Sequence, residues 1–250
     1  MTKPDTVIIT GAAGTIGKAT AELFSQEGYR LLLVDKKEEE LIKLTSLVSN
    51  SISISMDVTD PQAVANLFDT VADDLTGVVL AAGIEGPVNI LEDCPDDLFQ
   101  MVMTTNVMSV WLGIKHALRV FKPRKQGNIV VLSSISGITA TPMLSPYCAS
   151  KHAVTGLVRT AAREAASYGI RVNALCPGPV VSGMMKRVDS ALAELYPARL
   201  DYRKDASHVI PMQRYATPEE VASIIRFLCS DASRYCTGTT MMVDGGLTCR

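Results

Sequence analysis

Short apolar runs alternate with longer amphipathic stretches from the first residues onward. Val7-Ile8-Ile9, Leu31 to Val34, Ile52 to Met56, Val78-Val79-Leu80, Asn128 to Leu132, Arg171 to Leu175 and Thr239 to Val243 are short and mostly aliphatic, the pattern of buried strands. Between them, helical spacing of apolar positions predicts helices over Ile16 to about Gln26, Glu38 to Val48 and Pro61 to about Asp73. The same spacing predicts helices over Pro95 to about Phe121, with some irregularity, Ser150 to about Tyr168 and Thr217 to Cys229. The punctuation agrees: Asp60 stands before Pro61, and Thr217-Pro218-Glu219-Glu220 offers a cap followed by a first-turn proline.

No Pro/Gly linker, low-complexity tract or repeat divides the chain. The alternation predicts one α/β domain over 1–250, with a mostly parallel, seven-stranded, doubly wound sheet of the Rossmann type and helices on both faces. Ligands in such sheets bind beyond the carboxyl ends of the strands, so functional residues are expected in the loops that follow them.

Composition narrows the partners. Of 250 residues, 47% are hydrophobic and 20% charged, with 24 Lys plus Arg against 26 Asp plus Glu, a formal net charge of −2. That balance argues against nucleic acid or an anionic membrane as the main partner. Met1 to Asp5 hold no apolar signal region, and no apolar run reaches the roughly 20 residues that span a bilayer. The cysteines at 94, 148, 176, 229, 236 and 249 form no C-x-x-C pair, and the histidines at 116, 152 and 208 are scattered. Reduced thiols in a cytoplasmic protein without a metal site is the reading that follows.

Thr10 to Gly17 reads T-G-A-A-G-T-I-G between the first strand and the first helix. Glycines there let the chain turn tightly and let a phosphate approach the helix N-terminus, where free N–H groups and the dipole favour anions. Asp35 ends the second strand, eighteen residues after Gly17, where a carboxylate can accept bonds from adenosine ribose hydroxyls and repel a 2′-phosphate. Lys18, Lys36 and Lys37 are close by, but nothing basic lies within the glycine turn. NAD is therefore expected over NADP; as a plain alternative, Asp35 is an acidic cap or turn residue.

Ser134 follows the fifth strand, and Tyr147 and Lys151 are four apart at the start of a helix, so they share a face. An unperturbed tyrosine titrates near pH 10, and an ammonium beside it is expected to favour the phenolate and lower that value. With Ser134 holding a substrate oxygen, the three can move a proton to or from an alcohol while hydride moves to or from a nicotinamide. Taken alone, Y-x-x-x-K is also what a surface helix pair looks like.

Over essentially its whole length the chain resembles the short-chain dehydrogenase/reductase family, in its compact single-domain branch. The features that match are the turn from Thr10 to Gly17, Asp35, Asp57-Val58, Ala81-Ala82-Gly83, Asn106, Ser134 with Tyr147 and Lys151, Asn173 to Gly178, and Val243-Asp244-Gly245-Gly246. The resemblance implies Tyr147 as general acid/base, Lys151 on the nicotinamide ribose, Ser134 on the substrate oxygen, and Asn106 holding a water on a proton relay. It implies coenzyme contacts at Gly11, Gly14, Thr15, Ile16, Gly17 and Asp35, with Asp57 and Val58 flanking the adenine. Further contacts are implied at Ala81, Ala82 and Gly83, and along the nicotinamide at Pro177, Gly178, Val180 and Ser182. It also implies a homotetramer packed through the long helices around 106–121 and 151–167.

Three positions depart from the family pattern. The glycines at 11, 14 and 17 follow G-x-x-G-x-x-G, with Thr15 where the compact branch carries glycine; the spacing is more typical of a longer branch whose extra C-terminal region has no room in 250 residues. Ala81 replaces an asparagine, which leaves only a backbone or apolar tie there, and Ser182 stands where threonine is common.

Substrate contacts are expected from Ser134, Ser136, Met143, Tyr147, Met184 and Met185. The segment 183–212 is read as an amphipathic lid in which Lys186, Arg187, Arg199, Arg203 and Lys204 interleave with Asp189, Glu194, Asp201 and Asp205 around Tyr196 and His208. Its charges are either plainly solvated, or one of its cations binds an anionic substrate group. The expected activity is NAD(H)-dependent interconversion of a secondary alcohol and a ketone. The rivals are an NADPH-dependent 3-oxoacyl or quinone reductase, against which Asp35 argues, and a silent dinucleotide-binding sensor or scaffold, against which Asn106, Ser134, Tyr147 and Lys151 argue together.

Overall fold

A computed structural model describes residues 5–71, 74–195 and 206–249. Seven strands form one parallel sheet: β1 (Thr6–Thr10), β2 (Arg30–Asp35), β3 (Ser51–Ser55), β4 (Leu75–Leu80), β5 (Gly127–Leu132), β6 (Ile170–Pro177) and β7 (Thr240–Val243). Their spatial order is β3-β2-β1-β4-β5-β6-β7, with register Thr10↔Val34, Thr10↔Leu80, Val131↔Ala174 and Pro177↔Val243. The chain winds outward in opposite directions from β1 and β4, and the crevice opened by that reversal lies at the carboxyl ends of the strands.

Helices cover both faces: α1 (Thr15–Gln26), α2 (Glu38–Leu47) and α8 (Pro218–Cys229) on one, and α3 (Pro61–Asp69), α5 (Ser109–Arg124) and α6 (Ser145–Ala165) on the other. Strand residues alternate between two apolar cores. Val7, Ile9, Leu31 and Leu33 meet Phe24, Val221 and Ile225, whereas Ile8, Leu32, Val78 and Ile129 meet Phe68, Phe121 and Val158. A sheet covered on both faces needs apolar residues at successive positions, which is why its strands read as unbroken runs. The two sequence-predicted caps are in place. Asp60 accepts the N–H groups of Gln62 and Ala63 at 2.8 and 3.2 Å, and Thr217 closes a reciprocal box with Glu220.

Three elements differ from the sequence pattern. Helix α6 starts at Ser145, five residues earlier than expected, with Pro146 in its first turn and no side-chain cap at Leu144. The irregularity expected between 95 and 121 is α4 (Asp96–Met103), then a π turn over Thr104–Met108, then α5. The lid segment opens with a helix, α7 (Gly183–Leu195), and later holds a short 3-10 turn over Ala206–Val209. Tyr196, Arg199, Asp201, Arg203, Lys204 and Asp205 lie outside the described residues. Among the described residues no helix is long and apolar enough to cross a membrane, and no cluster of His, Cys, Asp or Glu is arranged to hold a metal ion.

Candidate active site

The glycine turn leaves β1 for α1, and its shape explains the departure in spacing. Gly11 has φ +67°, and a Cβ there would stand 2.7 Å from the Ala82 nitrogen and 2.8 Å from the Ala81 carbonyl. A Cβ on Gly17 would collide with the Gly11 carbonyl and lie 2.8 Å from the Ala12 Cα. Those two positions need glycine for packing, while Thr15 is exposed and needs none. Gly14 caps α1 with no side-chain hydrogen bond, so the first-turn N–H groups around Thr15 and Ile16 are left to an anion. This cradle fits the pyrophosphate of a dinucleotide.

Asp35 carries the turn's other wall. Its Oδ2 accepts the Ala13 N–H at 3.0 Å and its Oδ1 accepts the Lys37 N–H at 3.1 Å. A carboxylate has about four acceptor positions, so two ribose hydroxyls can still be received. Lys18, the nearest cation in α1, is paired with Glu40 at 2.9 Å. Asp57 is exposed just after β3; the Thr59 N–H and hydroxyl, at 2.8 and 2.7 Å, hold its carboxyl below the usual carboxylate range. Val58 packs partly buried against the core beside it.

At Ala81 the tie between central strands is made by backbone. Its N–H reaches both the carbonyl and the hydroxyl of Thr10, each at 3.2 Å. Thr10 thus supplies polarity that the side chain at 81 lacks. Gly83 faces the catalytic end: a Cβ there would lie 3.2 Å from Asn106 Oδ1 and 3.6 Å from Lys151 Nζ.

Asn106 is fully buried within the π turn. Its Oδ1 accepts the Ile84 N–H at 2.8 Å, and its Nδ2 donates to the Ile84 carbonyl at 2.9 Å and to Ser150 Oγ at 3.0 Å. Ser150 in turn donates to the Tyr147 carbonyl at 2.7 Å. The amide therefore clamps the loop after β4 to the first turns of α6, and both its hydrogens are spent on protein. A water held by this residue would rest on Oδ1 or on the main chain.

Ser134 stands just past β5, and its Oγ accepts the Ser136 N–H at 3.2 Å, leaving the O–H to donate. Lys151 lies one turn along α6, only 5% exposed, donating to the Leu132 carbonyl at 2.8 Å with Nζ 5.5 Å from the Tyr147 ring centre. The expected control of Tyr147 by Lys151 is not what governs the chain by itself. Burial pushes Tyr147 up to about 12; the Ser134 hydroxyl opposes this and the Glu85 carboxylate adds to it. Burial likewise pulls Lys151 down to about 8.

The segment after β6, expected to run along a nicotinamide, is framed by backbone. Gly178 N–H donates to Val243 O at 2.9 Å, Val181 N–H to Ala216 O at 2.9 Å, and Val180 pairs with Ala216 in an isolated bridge. Ser182 Oγ accepts the Met185 N–H at 3.1 Å, so it caps α7 and keeps its own hydrogen to donate. Of the substrate candidates, Met184 and Met185 are half-buried in the first turn of α7. Met143 has φ +71°, and its carbonyl receives the Asn89 N–H at 2.9 Å. Ser136 is buried and bonded to Thr141 Oγ1 at 2.7 Å, turned into its own loop.

Arg187, one of the cations considered for an anionic substrate, is paired with Glu85. Thr10 opens the glycine turn and Glu85 sits in the loop after β4, whereas Ser150 carries no motif of its own; only the polar step three residues after Tyr147 hints at it.

A family profile described as Enoyl-(Acyl carrier protein) reductase matches residues 11–248. L-2,3-butanediol dehydrogenase of Corynebacterium glutamicum is 34% identical, the match covering 96% of this chain and 97% of the relative. Diacetyl reductase [(S)-acetoin forming] of Staphylococcus epidermidis is 33% identical, over 98% of this chain and 99% of its own. Among solved structures, NAD+-bound xylitol dehydrogenase superposes with TM-score 0.91 at 32% identity, covering 97% of this chain and 98% of that one. ElxO with NADP bound gives 0.88 at 29% identity, over 99% of this chain and all of the other.

Proposed function

We propose that this chain, which belongs to the short-chain dehydrogenase/reductase family, is an NAD(H)-dependent oxidoreductase that interconverts a small secondary alcohol and its ketone. The observation that carries the reading is the convergence of Ser134, Tyr147 and Lys151 at the carboxyl end of β5, with Lys151 pinned to the Leu132 carbonyl. The family's coenzyme, a nicotinamide dinucleotide, supplies or accepts the hydride when bound.

The chain's own groups handle the proton. With Tyr147 held up at about 12, the phenol is protonated at neutral pH and ready as an acid. It donates its proton to a substrate carbonyl oxygen that the Ser134 hydroxyl holds, and the phenolate so formed is stabilised by the Lys151 ammonium. Oxidation runs the same transfer in reverse. Asn106 keeps the loop after β4 and the start of α6 in register for this, and Ser134, Met143, Met184 and Met185 line the substrate side, with Ser136 supporting Ser134 from behind.

Preference for NAD is supported by Asp35 at the ribose position and by the commitment of Lys18 to Glu40, which leaves that lysine poorly placed to neutralise a 2′-phosphate. We assign adenine contacts to Asp57 and Val58, phosphate contacts to Gly11 through Gly17, and nicotinamide contacts to Pro177, Gly178, Val180 and Ser182. A cytoplasmic homotetramer is part of the same proposal, with exposed Met108 and Trp111 on a packing face. Light scattering at four times the chain mass is expected. The direct test is reduction of butane-2,3-dione and oxidation of butane-2,3-diol with each coenzyme, followed by absorbance. NADH turnover well above NADPH turnover is expected; absence of any carbonyl reduction refutes the reading.

A further inference from the structure

The loop after β4 carries a carboxylate that the proton chemistry does not use. Glu85 follows Ile84, whose N–H and carbonyl are both held by Asn106, so its backbone is fixed at the rim of the cleft. Its side chain is 16% exposed, and its Oε1 accepts from Arg187 Nε at 2.5 Å, across to α7. The far side of α7 is tied down as well, by the Tyr215 hydroxyl on Asp189 at 3.1 and 3.2 Å. The pair therefore spans from a fixed wall of the cleft to the helix that begins beside the nicotinamide loop.

The two charges are not equivalent from inside the cleft. The carboxylate is largely shielded from water, while the Arg187 side chain is 64% exposed and screened by solvent. Glu85 is one residue beyond Ile84, which Asn106 holds, and Asn106 reaches the Tyr147 carbonyl through Ser150, so the carboxylate sits beside the clamp of the reacting end and adds to the rise of Tyr147. The other nearby charge, Lys151, directs its ammonium to the Leu132 carbonyl.

We propose that Glu85 is a specificity-determining residue: with Arg187 as its outer counter-charge, it closes the cleft with a net negative wall that admits uncharged ketones and alcohols and rejects those bearing a carboxylate. The proposal rests on the secondary-alcohol reading above and names its substrate class. It also reverses the idea of a cationic anchor at Arg187.

Butane-2,3-dione and pyruvate test it, because a carboxylate replaces an acetyl group of nearly the same shape. The quantity read is kcat/KM for the dione divided by kcat/KM for pyruvate, with NADH. Glu85→Gln is expected to lower that ratio about tenfold or more, the scale of one lost charge interaction at a partly screened site. Arg187→Gln leaves the carboxylate unopposed and is expected to raise it. Glu85→Asp keeps the charge while shortening the reach, and is expected to hold the ratio near that of the unaltered chain. Fluorescence titration with NADH reports that each variant is folded.

A mechanical latch would move Glu85→Gln and Arg187→Gln in the same direction, and that outcome, or an unchanged ratio, overturns the proposal. Efficient reduction of pyruvate by the unaltered chain overturns it as well. If the unaltered chain reduces neither probe, the proposal fails, and if it reduces no carbonyl at all, the secondary-alcohol reading fails with it. If it reduces the dione but the ratios do not move, only the proposal fails.

Discussion

The Asp35 carboxylate accepts the Ala13 N–H at 3.0 Å, so the end of β2 is hydrogen-bonded to the glycine turn that follows β1. This contact fixes the acid beside the glycine turn, where we propose that the adenosine ribose lies, and Lys18 is drawn off by Glu40. Replacing Asp35 by serine removes the repulsion, and adding Glu40→Gln releases Lys18. The double variant is expected to shift kcat/KM from NADH toward NADPH by roughly 10- to 100-fold, about 1.4–2.8 kcal/mol. Paired initial rates with the two coenzymes measure it; a ratio that stays put places specificity elsewhere.

Tyr147→Phe removes the proton donor while leaving the ring. Loss of a general acid lowers turnover by about 10²–10⁴-fold. Coenzyme affinity should change little, so the loss belongs in kcat. Full turnover by the variant would sink the acid role.

The pH dependence follows from Lys151. Its proton is held below about 8 and lost above, because burial disfavours the ammonium. Ketone reduction needs that charge beside the nascent phenolate and needs Tyr147 protonated, which it remains until about 12. The rate should therefore be flat below 8 and fall as pH rises through it. Lys151→Arg keeps its charge across this range, so its profile, at a lower ceiling, should lose that limb. A limb left in place would assign it to another group.

Asn106→Ala deletes three hydrogen bonds, one buried and two partly buried, and leaves the Ile84 N–H and carbonyl without their partner. Unsatisfied buried groups cost about 1–3 kcal/mol each. The midpoint of urea unfolding should drop, and turnover should drop further than the coenzyme affinity, since the clamp joins the catalytic half. Equal losses in both would point to general destabilisation.

Gly17→Ala places a methyl against the Gly11 carbonyl and the Ala12 Cα, both backbone atoms that cannot turn aside. Coenzyme affinity should fall steeply. Thr217→Ala is the contrast: it removes the α8 cap, at about 1 kcal/mol, and places no new atom against the glycine turn. Calorimetry and NADH titration on the two variants separate stability from binding.

What the sequence determined by itself was whatever depends on near neighbours. Strand runs and helical spacing set the order of elements, and Asp60 and Thr217 marked helix starts because a cap bonds N–H groups two or three residues away. Resemblance supplied roles for Ser134, Tyr147 and Lys151. The start of α6 at Ser145 escaped because Leu144 offers no capping side chain, and the π turn escaped because its one-residue widening leaves no compositional mark.

Only the tertiary structure decided the electrostatics. Tyr147 rises and Lys151 falls because packing from several strands removes water, which no spacing encodes. Lys18 meets Glu40 across 22 positions, Asn106 meets Ser150 across 44, and Arg187 meets Glu85 across 102. Such pairs exist because the winding of the sheet brings distant loops to one edge. Local pattern could locate that edge, but which charges meet there is fixed by chain crossings.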